Sequence, residues 1–262
     1  MEKKKYTVPA LEKGLAIIEL LAETDQPLGI TDLYTHCGIP KSSIFMILST
    51  LEGLKYIEKL PGDKYKLTMK IHHLGTQIIS KLNIREVALP HMKELADTLQ
   101  FTVHLASLEH DHAIYIEKVN GPGYVQFSTK VGQSLPLYCS AVGKALVAFL
   151  PADEQDELVR AIQYEALTPY TIGSPEAFKD FLRSVREIGY AIEDEEGELS
   201  IRCIGAPIYD NTGRVAAAIS VTALRNELPS IKYGEVGKLV RDKALLISRE
   251  LGYQADTGNE AT

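Results

Sequence analysis

Residues 38–51 read GIPKSSIFMILSTL, a tight turn running into a short amphipathic segment whose one charge is Lys41. Gly38 sits where a helix C-cap needs a positive φ, and Pro40 suits the start of the next helix. Ile39 between them reads as a buried turn residue. At 100° per residue, Ile44, Ile47, Leu48 and Leu51 share one stripe of that helix. The opposite face is Ser42, Met46 and Ser49, flanked by Ser43 and Phe45. Just upstream, ITDLYTHC (30–37) puts Ile30, Leu33, Tyr34 and Cys37 at i, i+3, i+4 and i+7. Two short striped helices with a Gly-x-Pro turn make a helix-turn-helix, the second helix being the one that enters a major groove.

The flanks agree with that reading. PALEKGLAIIELLA (9–22) is a helical stripe of Leu11, Leu15, Ile18 and Ala22, with Ile17 and Leu21 beside it and Pro9 in the first turn. Downstream, YIEKLPGDKYKL (56–67) reads strand, turn, strand, which after a recognition helix is a wing. Lys59, Lys64 and Lys66 are placed there for phosphates, with Lys41, Lys55 and the Lys3-Lys4-Lys5 cluster as further cations. Ser42, Ser43 and Ser49 suit phosphates or base edges, and Phe45 and Met46 suit thymine methyls. LTMKIHHLGTQIISKLN (67–83) reads as a linker helix. Its adjacent His72 and His73 point about 100° apart, which suits structural or dimer contacts better than one metal site.

The chain has 262 residues, 45% hydrophobic and 24% charged, which suits two compact globular domains. The formal net charge is −7, against a nucleic-acid coat, but it is unevenly spread. Residues 1–82 carry 11 Lys and 9 Asp+Glu, a net of +2, and the remainder carries −9. The halves therefore face different partners. No apolar run of about 18 residues predicts a membrane span. MEKKKYTVPALEKG has no apolar core or cleavage site for secretion. Cys37, Cys139 and Cys203 are odd in number and match no zinc spacing, so the expectation is a reduced, cytoplasmic chain without metal or cofactor.

From residue 84 strands and helices intermix, which predicts an α+β domain. IREVALPHMKELADTLQ reads as a helix, and FTVHLASLE and AIYIEKV as strands across a His110-Asp111-His112 turn. YVQFSTKV (124–131) reads as a further strand, and PEAFKDFLRSVREIGYA (175–191) as helix throughout. LSIRCIGAPIYD and RVAAAISVTAL form a hairpin over Asn211-Thr212-Gly213, and a long helix closes the chain over about 231–251. In VGQSLPLYCSAVGKALVAFL an extended segment precedes a helix that starts with small residues. Ser140 is its N-cap candidate. Free amides at such a helix start favour an anion, and small side chains let a carboxylate approach, though an ordinary packing junction fits the same pattern. The upstream glycines of a phosphate loop are absent before Gly143-Lys144. Ser220 and Thr222 share one strand face and need partners, either backbone or a ligand. Ile201 and Cys203 share a face opposite Arg202. Cys203 reads as a buried thiol or a nucleophile without a nearby histidine. The run 193–196, EDEE, reads as a solvated loop from which one acid can turn inward.

Together these blocks resemble the IclR family of bacterial transcriptional regulators over about residues 7–253. The resemblance rests on VPALEKGLAIIELLA, ITDLYTHCGIPKSSIFMILSTLEGLKYIEK, KYKLTMKIHHLG, GQSLPLYCSAVGKALVAFL and EDEEGELSIRCIGAPIYDNTGRVAAAISVT. It implies a winged helix-turn-helix over 1–68, a linker helix over 69–83 that helps dimerise, and a GAF-like effector-binding domain over 84–262. It further implies a homodimer or dimer of dimers on palindromic double-stranded operator DNA, released or retained by a small organic acid, and no catalysis. By similarity the effector residues are Ala141, Val142, Glu193, Ile201, Cys203, Ser220 and Thr222, beside Ser140 and Tyr138. Tyr138 stands where relatives often have histidine, and the PLYCSA variant resembles relatives that sense sugar acids. Met46 stands where relatives commonly have arginine, so no operator sequence carries over. A catabolic-operon repressor is the expectation. A metal-responsive or ligand-independent regulator and an enzyme with a tethering DNA module are the alternatives.

Overall fold

A computed structural model describes residues 7–79, 83–124 and 126–254. The Lys3-Lys4-Lys5 cluster and Val125 lie outside the described residues. The chain divides into two compact units, residues 1–81 and 82–262.

The first unit begins with α1 (Pro9–Glu23), β1 (Leu28–Gly29), α2 (Ile30–Cys37) and α3 (Lys41–Gly53). β2 (Ile57–Leu60), β3 (Lys64–Leu67) and α4 (Met69–Ile79) follow. Gly38 ends α2 with φ of 67°, a conformation a Cβ disfavours, and its amide donates to the Tyr34 carbonyl 2.9 Å away. Ile39 is buried, and Ile44 and Leu48 carry α3 into the core with Ile17, Leu21, Leu33, Ile57 and Tyr65. β2 and β3 form the expected hairpin, and β1 adds a third strand to it beside β3. Two details of the expected stripes differ. On α1 the core side is Gly14, Ile17 and Leu21, while Leu11, Leu15 and Ala22 are exposed. Gly14 faces α3 on that side, where a Cβ would lie 3.8 Å from the Ile47 side chain, an ordinary contact. Tyr34 is also exposed, lying under the Lys41 ammonium rather than in the core.

The second unit opens with α5 (Ile84–Leu99), then β4 (Thr102–Glu109), β5 (His112–Val119) and β6 (Ser134–Pro136). Helices α6 (Ala141–Ala148), α7 (Ala152–Ala161) and α8 (Pro175–Ile188) precede β7 (Ala191–Asp194), β8 (Ile201–Tyr209) and β9 (Val215–Leu224). The last helix is α9 (Tyr233–Glu250). The six strands form one antiparallel sheet in the order β6-β5-β4-β9-β8-β7. Alternation splits its residues between two cores. Val103, Leu105, Ile204, Ala206, Ile208, Ile219 and Val221 pack on α5 and α9. The opposite face meets α6 and α8.

Residues 126–130 form no strand, contrary to the reading of 124–131. Lys118 holds that segment instead, its Nζ donating to the Phe127 and Thr129 carbonyls at 2.6 and 2.9 Å. The helix expected over 175–191 stops at Gly189, where φ is 82°, and Ala191–Asp194 pairs with β8 as an edge strand. The alternation of that strand was too short to read, being only four residues beside an acidic run.

Helix α6 is seated unusually close to the sheet. A Cβ on Gly205 of β8 would lie 2.8 Å from the Ala141 carbonyl oxygen. One on Gly143 would lie 2.5 Å from the Leu137 Cα. Both clashes are with backbone and cannot be relieved by a side-chain rotation. Gly205→Ala is therefore expected to lower stability by about 1–3 kcal/mol, as overpacked sites do, in chemical denaturation. A variant as stable as wild type would show that α6 is not held against β8.

Candidate functional site

The exposed face of α3 is Ser42, Phe45, Met46 and Ser49, with Phe45 and Met46 at 60% and 63% exposure and Ser43 half-buried at its edge. Large apolar side chains exposed side by side suit a partner, and none of the described residues of the first unit covers these. Lys41 at the helix start donates to the Thr31 hydroxyl at 3.2 Å. The wing lysines are not free. Lys59 pairs with Asp63 at 2.6 Å and Lys66 with Glu58 at 2.9 Å. Lys64 makes a short hydrogen bond to Asp32, whose carboxylate also accepts from the Gly29 amide at 2.8 Å and so caps α2. Lys64 thus ties the wing to α2, while Lys59 and Lys66 sit in exposed pairs that exchange readily.

In the second unit, a cavity of about 470 Å³ lies between α6 and the sheet. Every residue expected at an effector site except Tyr138 lines it: Ser140, Ala141, Val142, Glu193, Ile201, Cys203, Ser220 and Thr222. Strand register explains the convergence. Glu193 pairs with Cys203, Cys203 with Thr222, and Ser220 with His104, all on the face turned to α6. Ser140 caps α6, accepting from the Gly143 amide at 3.2 Å and donating to the Pro136 carbonyl at 2.7 Å. The amides of Ala141 and Val142, the first of the helix, have no acceptor among the described residues.

Tyr138 turns away. Its ring tilts against Tyr164, and its hydroxyl donates to the Glu165 carbonyl at 3.0 Å and accepts the Glu165 amide at 2.9 Å. A buried phenol needs such partners, and the segment between α7 and α8 supplies them. The residues that sequence reasoning missed are Tyr115, Phe127, Thr129 and Gln133 in the lining, and His104 beneath them. Alternation along FTVHLASLE marks His104 as facing opposite to Val103 and Leu105. The others lie on irregular chain or β5 and carry no local signal.

His104 links the floor into one network. Its Nδ1 is 3.3 Å from the Thr222 hydroxyl, its Nε2 2.7 Å from the Thr129 hydroxyl, and its ring stacks on Tyr115 at 4.3 Å. Burial pulls its pKa down to about 3, so the imidazole is neutral. Cys203 lies 3.3 Å from Thr222 and only through that hydroxyl reaches the histidine. Burial holds its thiol well above the ordinary value, and Glu193 adds to this, so Cys203 is no nucleophile.

Glu193 is the buried acid of the cavity. Its Oε1 accepts the Glu196 and Gly197 amides at 2.7 and 3.0 Å. Burial nonetheless raises its pKa to about 7, the Gly197 amide opposing. Lys144 stands behind the cavity, fully buried, donating to Glu196 at 2.5 Å and the Ile192 carbonyl at 3.0 Å. Its ammonium also lies 4.0 Å from the Phe181 ring centre. This pair ties α6 to the 193–197 loop that forms the cavity wall. No cationic side chain among the described residues lines the cavity itself.

Residues 10–61 match the IclR helix-turn-helix domain, and residues 76–249 match the bacterial transcriptional regulator IclR C-terminal domain. The chain belongs to the IclR family. It is 33% identical to the HTH-type transcriptional regulator XynR of Escherichia coli K12 over 249 residues, 95% of this chain and 99% of that one. It is 34% identical to the DNA-binding transcriptional repressor YiaJ of the same strain, covering 93% and 88%. Among solved structures, the Agobacterium tumefaciens repressor BlcR superposes with a TM-score of 0.82 at 26% identity, covering 94% and 98%.

As an IclR regulator the chain binds DNA and is not an enzyme. Its wing carries two lysines already paired to acids. Removing either acid, by Glu58→Gln or Asp63→Asn, is expected to tighten operator binding and to steepen the dependence of log K on log salt by up to about 0.9 per freed lysine. Titrations at two or more salt concentrations read both effects, and an unchanged slope would mean that these lysines do not meet phosphates.

Proposed function

We propose that this chain is a repressor whose operator occupancy is set by a small carboxylate, of sugar-acid type, bound under α6. The observation that carries the reading is the pair of unpartnered amides at the α6 start, facing a floor of hydroxyls from Ser220 and Thr222. A carboxylate completes the amides, and the helix dipole favours its charge. A polyhydroxylated tail satisfies the hydroxyls, Gln133 and Glu193. Small residues at 139–141 leave room for close approach. The repressor sign and the control of a catabolic operon follow the named repressors among the relatives and the acid class of ligand.

Operator reading falls to Ser42, Ser43, Phe45, Met46 and Ser49, with Lys41, Lys59 and Lys66 on phosphates. Lys64 contributes there only by leaving Asp32. A homodimer or dimer of dimers would double these contacts over a palindrome. The exposed Leu11 and Leu15 of α1 support such pairing. A ligand shifts DNA affinity only by its unequal affinity for the two states of the protein.

The test is a selection of genomic fragments by the purified protein, followed by addition of aldonic acids. Release of one specific fragment by an acid, and not by its alcohol analogue, supports the reading. Loss of preference over competitor DNA under all conditions would sink it. Within the same assay, Met46→Arg is expected to raise general affinity and shift the preferred sequence. An unchanged site profile would mean that residue 46 faces away from the bases.

Proton linkage gives a second check. The groups around Glu193 are Cys203 on β8, Tyr115 on β5, Cys139 before α6, Tyr233 on α9 and the Lys144–Glu196 pair. Burial keeps the thiol of Cys139 up at about 12 and raises Cys203, Tyr115 and Tyr233 as well, so none of these ionises near neutrality. An anion beside Glu193 favours its protonated form, so binding takes up a proton. Affinity for the acid is then highest below pH 7 and falls above it, approaching about tenfold per pH unit. Glu193→Gln removes the decline. Calorimetry at pH 6 and 8 reads both, and a pH-independent affinity in wild type would show that Glu193 does not face the bound anion.

A further inference from the structure

A second concavity of about 340 Å³ adjoins the first. Phe127 and Thr222 line both, so the two meet at these residues. Thr222 is fixed by its strand. Phe127 belongs to irregular chain, yet it is tied down from two strands. Lys118 on β5 donates to its carbonyl at 2.6 Å and to that of Thr129 at 2.9 Å. His104 on β4 holds the Thr129 hydroxyl at 2.7 Å. An ammonium that is part-buried and bonded to two carbonyls of one short segment fixes the position of that segment closely.

The smaller concavity differs in chemistry from the larger. Its lining includes the half-buried Phe101, the exposed Gln100 and Glu227, and Tyr124, whose side chain is fully exposed at the rim. It contains no free helix start. An aromatic ring beside hydrogen-bonding side chains suits a sugar ring, whose C–H faces stack while its hydroxyls donate and accept. It therefore suits the neutral part of a longer ligand rather than a second acid.

We infer that Phe127 is a specificity-determining residue that limits the effector to one sugar-acid unit, and that the smaller concavity is a subsite for a second sugar unit from which the Phe127 side chain separates it. The inference rests on the reading of the larger cavity as a sugar-acid site. Removing the ring joins the two spaces along the line from the α6 start through Thr222.

The test compares wild type, Phe127→Leu and Phe127→Ala by calorimetry with threonate, xylonate, gluconate and the disaccharide acid lactobionate. Wild type is expected to bind the best monomeric acid at least 100-fold more tightly than lactobionate. Phe127→Ala should bring lactobionate within about tenfold while changing the monomeric acid no more than threefold, with Phe127→Leu between. A thermal melt on each variant confirms that the domain is folded, and the half-buried position of Phe127 favours this. Wild type binding lactobionate as well as the monomer would overturn the inference, and so would Phe127→Ala binding the monomer while still refusing lactobionate. If no monomeric acid binds wild type, the sugar-acid reading itself falls and takes this inference with it.

Discussion

The second unit depends on how close α6 lies to the sheet. Gly205 and Gly143 have no side chain because the Ala141 carbonyl and the Leu137 backbone occupy the space. That seating has a chemical consequence. It brings the start of α6 to the cavity, with two amides that the fold itself leaves without acceptors. Lys144, one turn along, locks the arrangement from behind through Glu196. A buried ion pair contributes little net stability, because desolvation offsets attraction, but breaking it leaves an uncompensated charge. Its use here is positional: it fixes the distance between the helix and the loop after β7, whose Glu196 and Gly197 amides hold Glu193.

The two units handle charge in contrasting ways. The first unit spreads weak, exchangeable pairs over its wing and leaves Phe45 and Met46 exposed on α3. In the proposed reading, affinity there comes from phosphates and sequence preference from methyl and hydroxyl contacts. The cavity, in contrast, has no lining cation among its described residues, and relies on a helix start and on an acid that is half-protonated near pH 7.

Much of this was legible in the sequence where periodicity and cap chemistry agree. Gly38-Ile39-Pro40 fixed the turn, and the stripe of α3 placed Phe45 and Met46 outward. Period 2 on two adjacent strands put Cys203, Ser220 and Thr222 on one face. What escaped the sequence depends on the third dimension. The α1 stripe turns to Gly14, Ile17 and Leu21 because the core it meets is built from elements distant in sequence. Tyr138 turns from the cavity because Glu165 offers both a donor and an acceptor on the other side. His104 reaches the floor only through the pairing of β4 with β9. The wing lysines looked free because their acid partners stand across a hairpin or on another helix.

In the proposed site the Ala141 and Val142 amides hold the effector carboxylate. This contact is tested most directly by amide NMR of the full-length protein during titration with the tightest-binding aldonic acid. The account predicts that these two amide protons shift downfield more than any others, and that the corresponding polyol leaves them in place. Saturable binding of the acid with both resonances unmoved would contradict it.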